Sequence, residues 1–163
     1  GGGMILAGEE LGNHAKHLTT TAKKPHPYEY VHDEVGYNYR LPNLNAALGC
    51  AQLEQLDHFV NAKRELAARF SSLFENSPLH FVKEPDHCRS NYWLNAVICE
   101  NIEQRQVLLK TTNDQGVMTR PIWQLMNHLS MYEHCLKGDL SNSEWLAARV
   151  VNLPSSVLPE FLA

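Results

Sequence analysis

His32-Asp33-Glu34-Val35-Gly36-Tyr37-Asn38-Tyr39-Arg40-Leu41-Pro42-Asn43-Leu44-Asn45-Ala46-Ala47 is the stretch on which the reading of this chain turns. A glycine, two tyrosines, an amide, a guanidinium and a helix start fall within it, the make-up of a loop that presents polar groups. Arg40 offers a planar fork of donors suited to phosphate or carboxylate, and Asn38 a short amide that meets an anion at little entropic cost. The alternative is an ordinary turn, in which Arg40 pairs with Asp33 or Glu34 and Asn38 caps the reversal. On composition alone the turn is favoured.

Downstream, Pro42 and Asn43 open a helix, because proline is tolerated in a first turn and asparagine is a good cap. Leu44, Ala47, Leu48, Ala51 and Leu53 are expected on its buried side. Asp57 is expected to cap a second helix through Phe59, Val60, Leu66, Ala67, Phe70, Leu73 and Phe74, with Lys63, Arg64, Glu65 and Arg69 on a solvated face. After Pro78 the character changes. Leu79 to Val82, Tyr92 to Cys99 and Val117 to Ile122 read as strands, and Ile102 to Asn113 as a helix, which predicts a small α/β layer with a largely antiparallel sheet. Leu129 to Leu136 and Ser143 to Val151 read as short helices, Leu153 to Ser156 as a loop, and Glu160 to Ala163 as the start of another helix.

Upstream, Met4-Ile5-Leu6 reads as a short strand within residues 1–7. Glu9 to Leu18 reads as a helix with Leu11, Ala15 and Leu18 at helical spacing and two acids in its first turn. His14 and His17 lie three apart on it. With no acid or thiol near them in sequence, a solvated face is a better reading than a metal site, although a cluster of His14, His17, His26 and His32 is a third option that elemental analysis would decide. Thr19 to Val31 is a loop, since Pro25 and Pro27 forbid a regular helix.

Composition narrows the function. The 163 residues are 44% hydrophobic and carry a formal charge of -4 with lysines and arginines scattered, so no basic face for nucleic acid is expected. No apolar run reaches the roughly 20 residues of a membrane span, and no basic and hydrophobic leader opens the chain, which predicts a cytoplasmic protein. Cys50, Cys88, Cys99 and Cys135 lack the paired spacing of a zinc or disulfide framework. Gly1-Gly2-Gly3 before Met4 leaves open a start at Met4 or a fragment of a longer protein.

The run from Gly36 to Leu53, GYNYRLPNLNAALGCAQL, resembles the signature of the DegT/DnrJ/EryC1/StrS family of pyridoxal-phosphate-dependent sugar-nucleotide aminotransferases. The likeness extends to its flanks. Gly1-Gly2-Gly3-Met4-Ile5 is similar to the segment just after that family's cofactor lysine, and Lys63-Arg64 to the start of a long helix of its small domain. Ser90-Asn91-Tyr92-Trp93-Leu94-Asn95, Thr119-Arg120-Pro121-Ile122-Trp123 and Asn152-Leu153-Pro154-Ser155-Ser156 resemble the branch that aminates keto sugars for bacillosamine- and legionaminic-type surface glycans. Leu125 is followed here by Met126, where many relatives have a Leu-His pair.

The resemblance implies a fold-type-I aminotransferase, α/β, of which residues 1–42 are the tail of the large cofactor domain and residues 43–163 the small C-terminal domain, helices packed on a small mainly antiparallel sheet. It implies amino transfer from glutamate to the 4-keto position of a UDP-linked deoxysugar in a homodimer that uses pyridoxal 5'-phosphate. It also implies that the cofactor lysine precedes Gly1, so that this chain alone is inactive and binds no cofactor. Asn38 occupies the position that reaches a neighbouring subunit's cofactor phosphate, with Arg40 beside it. His32, Tyr37 and Trp123 are the candidate substrate contacts, and no residue is a catalytic candidate. A non-catalytic dimerisation or small-molecule-binding module from a truncated gene is the alternative function. In either case the apolar residues around Gly1 to Leu18 are expected to be covered by a second copy.

Overall fold

The computed structural model describes residues 3–157, and the chain divides into two compact units between Leu56 and Asp57. The helix after Pro42 falls in the first unit.

The first unit opens with irregular chain. The strand expected at Met4-Ile5-Leu6 does not form: Met4 and Leu6 are 82% and 90% exposed, and no described strand lies beside them to pair their backbone groups. The part of that expectation on Gly1 and Gly2 lies outside the described residues. Helix α1, Glu9–Thr19, carries Glu9 and Glu10 in its first turn and Lys16 and His17 in its last, the charge order its dipole favours. The Thr- and Pro-rich segment is a hairpin as well as a loop. Strand β1, Lys23–Lys24, pairs antiparallel with β2, Val31–His32, and Lys23 faces His32. Pro25 and Pro27 sit in the connection, where a missing donor costs no ladder bond.

Helix α2, Asn43–Glu54, takes Pro42 as its N-cap, with no side-chain cap bond. Asn43 is its first residue instead of its cap. Its expected buried side is not buried. Leu44, Leu48 and Leu53 are exposed, Leu44 by 81%, because no described element covers them.

The second unit is built on helix α3, Leu56–Phe74, whose buried residues are Ala62, Leu66 and Ala67. Asp57 stands in its first turn and not at its cap. Next come β3, His80–Phe81, β4, Asn95–Ile98, and helix α4, Ile102–Asp114, capped by the Asn101 side chain on the Gln104 N–H. Gly116 follows α4 in the left-handed region at φ 78° and turns the chain. Strand β5, Arg120–Pro121, helix α5, Ser141–Ala147, and strand β6, Val150–Leu153, complete it.

The four strands run in the order β3-β4-β6-β5, and every pair is antiparallel. Strand β6 corrects the sequence reading, which carried the last helix to Val151 and made Leu153 a loop. Val150-Val151-Asn152-Leu153 is a short β-branched run, and its place between β4 and β5 completes both ladders, a tertiary gain that helical spacing does not register. Val97 faces Val151 across the β4–β6 pair. These two, with Cys99 and Leu153, form the buried centre, against which Phe70 and Phe74 of α3 and Leu108 and Leu109 of α4 pack. Pro121 lies on the edge strand, where its missing donor does no harm. The helix expected at Leu129 to Leu136 is replaced by two 3-10 turns, Met126–His128 and Ser130–Tyr132, too short for helical propagation to hold. The helix start expected at Glu160 to Ala163 lies outside the described residues. No helix of the described residues is long and apolar enough to cross a membrane.

The polar face of α3 is only partly solvated. Glu65 and Arg69 form the exposed pair expected of it, but Arg64 grips both oxygens of Glu84 at 2.9 and 2.7 Å and donates to the Ser90 carbonyl at 2.6 Å. Glu84 also accepts the Ser90 N–H, and the Arg64 guanidinium lies 5.7 Å from the centre of the Tyr92 ring. This network pins the connection between β3 and β4, in which His87 and Tyr92 adopt positive φ. Arg64, then the Ser90 N–H, pull the Glu84 carboxyl from 4.5 down to about 2. A depressed carboxyl stabilises the fold fully above its unfolded value and less as pH falls through its folded one. Denaturant midpoints are therefore expected to drop between about pH 4.5 and pH 2, and Glu84→Gln is expected to lower the midpoint at pH 7 and flatten the change over that window.

Candidate functional site

The loop quoted at the outset is held by a close backbone approach. A Cβ on Gly36 would stand 2.4 Å from the Thr21 carbonyl carbon and 2.5 Å from the Ala22 nitrogen. Thr21 and Ala22 take positive φ, 75° and 48°, and Ala22 is fully buried. Three backbone bonds then bind the loop to the end of α1: Tyr37 N–H to the Leu18 carbonyl at 2.7 Å, Tyr39 N–H to Thr19 at 2.9 Å, and Thr21 N–H to the Tyr37 carbonyl at 3.0 Å. The loop is thus a strand-like edge with alternating faces. Tyr37 and Tyr39 stack on one another, ring centres 5.2 Å apart and planes 19° apart.

Between them stands Asn38. Arg40 Nη1 donates to Asn38 Oδ1 at 3.0 Å, and Arg40 Nη2 to the Thr20 carbonyl at 3.1 Å. A guanidinium only donates, so it fixes which end of the amide is oxygen. The Asn38 Nδ2 donor makes no hydrogen bond among the described residues. Arg40 is therefore no partner of Asp33 or Glu34; it orients the asparagine and adds positive charge beside it. His32 Nδ1 donates to the Thr21 carbonyl at 2.7 Å, leaving its other nitrogen unbonded among the described residues.

Asp33 accepts from His17 Nε2 at 2.6 Å and pairs with Lys24 at 3.1 Å. His17 first, and Lys24 after it, hold the Asp33 carboxyl below the ordinary carboxylate range. The ligand atoms of His17, Asp33 and Glu34 lie within 4.8 Å of one another, so the structure supplies the acids that the sequence neighbourhood of His17 lacks. Lys24 pairs with Asp33, and His14 lies 3.4 Å from Glu34. His26 is turned to the Glu29 N–H at 2.9 Å and His32 to Thr21.

In the second unit the three stretches singled out by the resemblance converge. Leu94, Arg120, Trp123, Asn152 and Ser155 line one cavity of about 650 Å³. Trp93 and Trp123 stack at its rim, ring centres 6.1 Å and planes 16° apart, and Trp123 is 64% exposed. Such an open aromatic face suits a flat or sugar ring. Lys63 bonds the Ser155 carbonyl at 2.5 Å and the Trp93 carbonyl at 3.4 Å, and burial lowers its ammonium pKa. The expected solvated lysine is thus a clamp on the cavity wall. Arg120 donates to Asn113 Oδ1 and the Thr119 carbonyl, with Thr119 fully buried against Thr112. Trp93, Lys63 and the close approach of Gly36 were not singled out as site features from the sequence; the signal for Gly36 was a glycine set directly before an aromatic-amide-aromatic run.

The family model described as the DegT/DnrJ/EryC1/StrS aminotransferase family matches residues 1–159. The chain belongs to that family. A GDP-perosamine synthase of Escherichia coli O157:H7 is 33% identical over 160 residues, covering 94% of this chain and 42% of the relative. One of Vibrio cholerae is 37% identical over 131 residues, covering 77% and 35%. Among solved structures, Helicobacter pylori PseC, an aminotransferase involved in the biosynthesis of pseudoaminic acid, superposes with a TM-score of 0.83 at 17% identity over 94% of this chain and 43% of that one. The chain thus spans about two fifths or less of the length of these DegT/DnrJ/EryC1/StrS relatives. Full-length members of the family are pyridoxal-phosphate-dependent sugar aminotransferases.

Gly36→Ala is expected to lower the urea midpoint markedly, since the clash is with backbone and overpacking of this kind costs about 1–3 kcal/mol. Gly49→Ala in α2, where a Cβ meets open space, is expected to leave the unfolding free energy unchanged or raise it by about 0.5–1 kcal/mol.

Proposed function

We propose that this chain is the C-terminal part of an aminotransferase that moves an amino group from glutamate to the 4-keto position of a nucleotide-linked deoxysugar for a surface glycan. The observation that carries the reading is the family match together with the Asn38 amide, locked by Arg40 with its donor end unclaimed. Relatives named as GDP-perosamine synthases and, at 28% identity, a UDP-4-amino-4,6-dideoxy-N-acetyl-beta-L-altrosamine transaminase of Campylobacter jejuni support amination of a nucleotide-linked sugar. Their names carry both GDP and UDP, so the base is left open.

The donor set fits a phosphate-bearing cofactor. Asn38 Nδ2 would donate to the phosphate of pyridoxal 5'-phosphate held by a neighbouring subunit, and Arg40 fixes the amide and adds a positive charge whose pull strengthens as water is excluded. When bound, the cofactor supplies the electron sink for amino transfer. His32, its Nδ1 tied to Thr21, presents its other nitrogen beside this loop as a substrate contact, and Tyr37 presents a ring braced by Tyr39. In the second unit, Trp123 and the cavity behind it take part of the sugar nucleotide. Residues 1–42 belong on this reading to the large cofactor domain and residues 43–163 to the small one.

No lysine here matches the family's cofactor lysine motif, so the chain by itself is proposed to be inactive. The exposed apolar side chains of Met4, Leu6, Leu11 and Leu44 support a homodimer in which they are covered, and a cytoplasmic location is part of the same proposal. The alternative, a non-catalytic dimerising or small-molecule-binding module, rests on the same surface without the catalysis.

Two measurements test this. The 163-residue chain given pyridoxal phosphate, glutamate and a nucleotide-linked 4-keto deoxysugar is expected to release no 2-oxoglutarate, whereas the same chain extended in frame by the sequence encoded upstream of Gly1 is expected to do so. Turnover by the short chain, or none by the extended one, contradicts the proposal. In the extended protein Asn38→Ala is expected to weaken cofactor retention by about tenfold or more, the worth of one charge-assisted bond.

A further inference from the structure

Arg105, on the first turns of α4, differs from Arg64, Arg120 and Arg149 around the second unit's sheet. Arg64, Arg120 and Arg149 direct their donors to described acceptors: Glu84 and Ser90, Asn113 and Thr119, and the carbonyls of Glu100 and Trp145. Arg105 is half-buried, its Nε is buried without a hydrogen-bond partner, and its guanidinium forms no ion pair among the described residues. A guanidinium keeps its proton, so the buried Nε–H calls for an acceptor from elsewhere. Cys99 does not provide one. Burial pushes its thiol pKa up, which keeps it neutral at pH 7.

Arg105 faces a cavity of about 310 Å³, walled also by Trp123, Gln124 and His128. His128 has Glu144 at 3.9 Å as its own partner, and Gln124 is tied to the His128 carbonyl. The uncompensated charge on the cavity is therefore that of Arg105. The segment from Pro121 to Gln124 also lines the 650 Å³ cavity, so the two cavities are neighbours.

We propose that the cavity at Arg105 is an anion site that takes a phosphoryl group, brought either by inorganic phosphate or by a nucleoside diphosphate. The planar fork of an arginine matches two phosphoryl oxygens at once. As a nucleoside-diphosphate site, the cavity at Arg105 rests on the proposed function, since it shares the Trp123 wall with the cavity given there to the sugar nucleotide; as a site for free phosphate it needs neither that reading nor a cofactor.

The test is calorimetric titration of the whole chain, without pyridoxal phosphate, with inorganic phosphate and with UDP, against sodium chloride and acetate at matched ionic strength. Saturable phosphate binding is expected, weakened about tenfold or more by Arg105→Gln and partly restored by Arg105→Lys. UDP binding about tenfold tighter than phosphate assigns the site to a nucleoside diphosphate, and equal affinities assign it to the free ion; both support it. A readout that needs no variant is the Arg105 Nε–H resonance, which is expected to shift as phosphate is added. Phosphate binding no tighter than acetate, an Arg105→Gln chain that binds like the parent, or an unmoved resonance overturns the site.

Discussion

Gly36 packs its backbone onto Thr21 and Ala22 at a distance that leaves no room for a Cβ, and the candidate cofactor loop depends on that contact. Two residues in left-handed conformations bring the end of α1 round to meet it, and three backbone hydrogen bonds then set the alternation of Tyr37, Asn38 and Tyr39. The tyrosines stack on one another, and Arg40 closes the loop by clamping Asn38 Oδ1 to the Thr20 carbonyl. The unclaimed amide donor is the product of this chain of constraints. An amide held in place before a ligand arrives loses little rotamer freedom on binding, which is how a single hydrogen bond to a phosphate becomes worth having.

A different principle organises the second unit. There the sheet is completed by β6, and its register carries Asn152, Leu153 and the following turn to the wall on which Leu94 and Trp123 also lie. Ser155 Oγ accepts the Asn95 N–H and donates to the Leu153 carbonyl, and Lys63 holds the Ser155 carbonyl from α3. Three stretches far apart in sequence form one concave surface because backbone groups, and not only side chains, are tied together beneath it.

Much of this was legible in the sequence, for reasons that differ by element. Helices α1, α3 and α4 were readable because their apolar spacing and first-turn acids are local signals, and β3 and β4 because aromatic and aliphatic residues alternate with turn residues at both ends. Strand β6 was not, because four residues following a helix carry too little periodicity to separate a helix end from a central strand; only its two partners decide it. The α2 leucines read as buried because spacing reports which side is apolar, not whether anything covers it. Asn38 and Arg40 were proposed as site residues through the family likeness of their run, and the structure supplies what the run alone does not: that Arg40 donates to Asn38. Lys63 and Arg64 looked like a solvated pair because the carbonyls and carboxylate that receive them lie 20 to 92 residues away. Arg105 had no sequence signal at all, since the lack of a partner is a property of the fold.

The central claim is that the Asn38 loop is formed in the chain before any ligand binds. Amide hydrogen exchange of the unliganded chain addresses it residue by residue, because exchange reports local opening of each bond. Thr21, Tyr37 and Tyr39 are expected to exchange slowly and together, well behind the irregular residues Met4 to Ala7. If these three amides exchange as fast as Met4 to Ala7, the loop is not preformed and the account is contradicted.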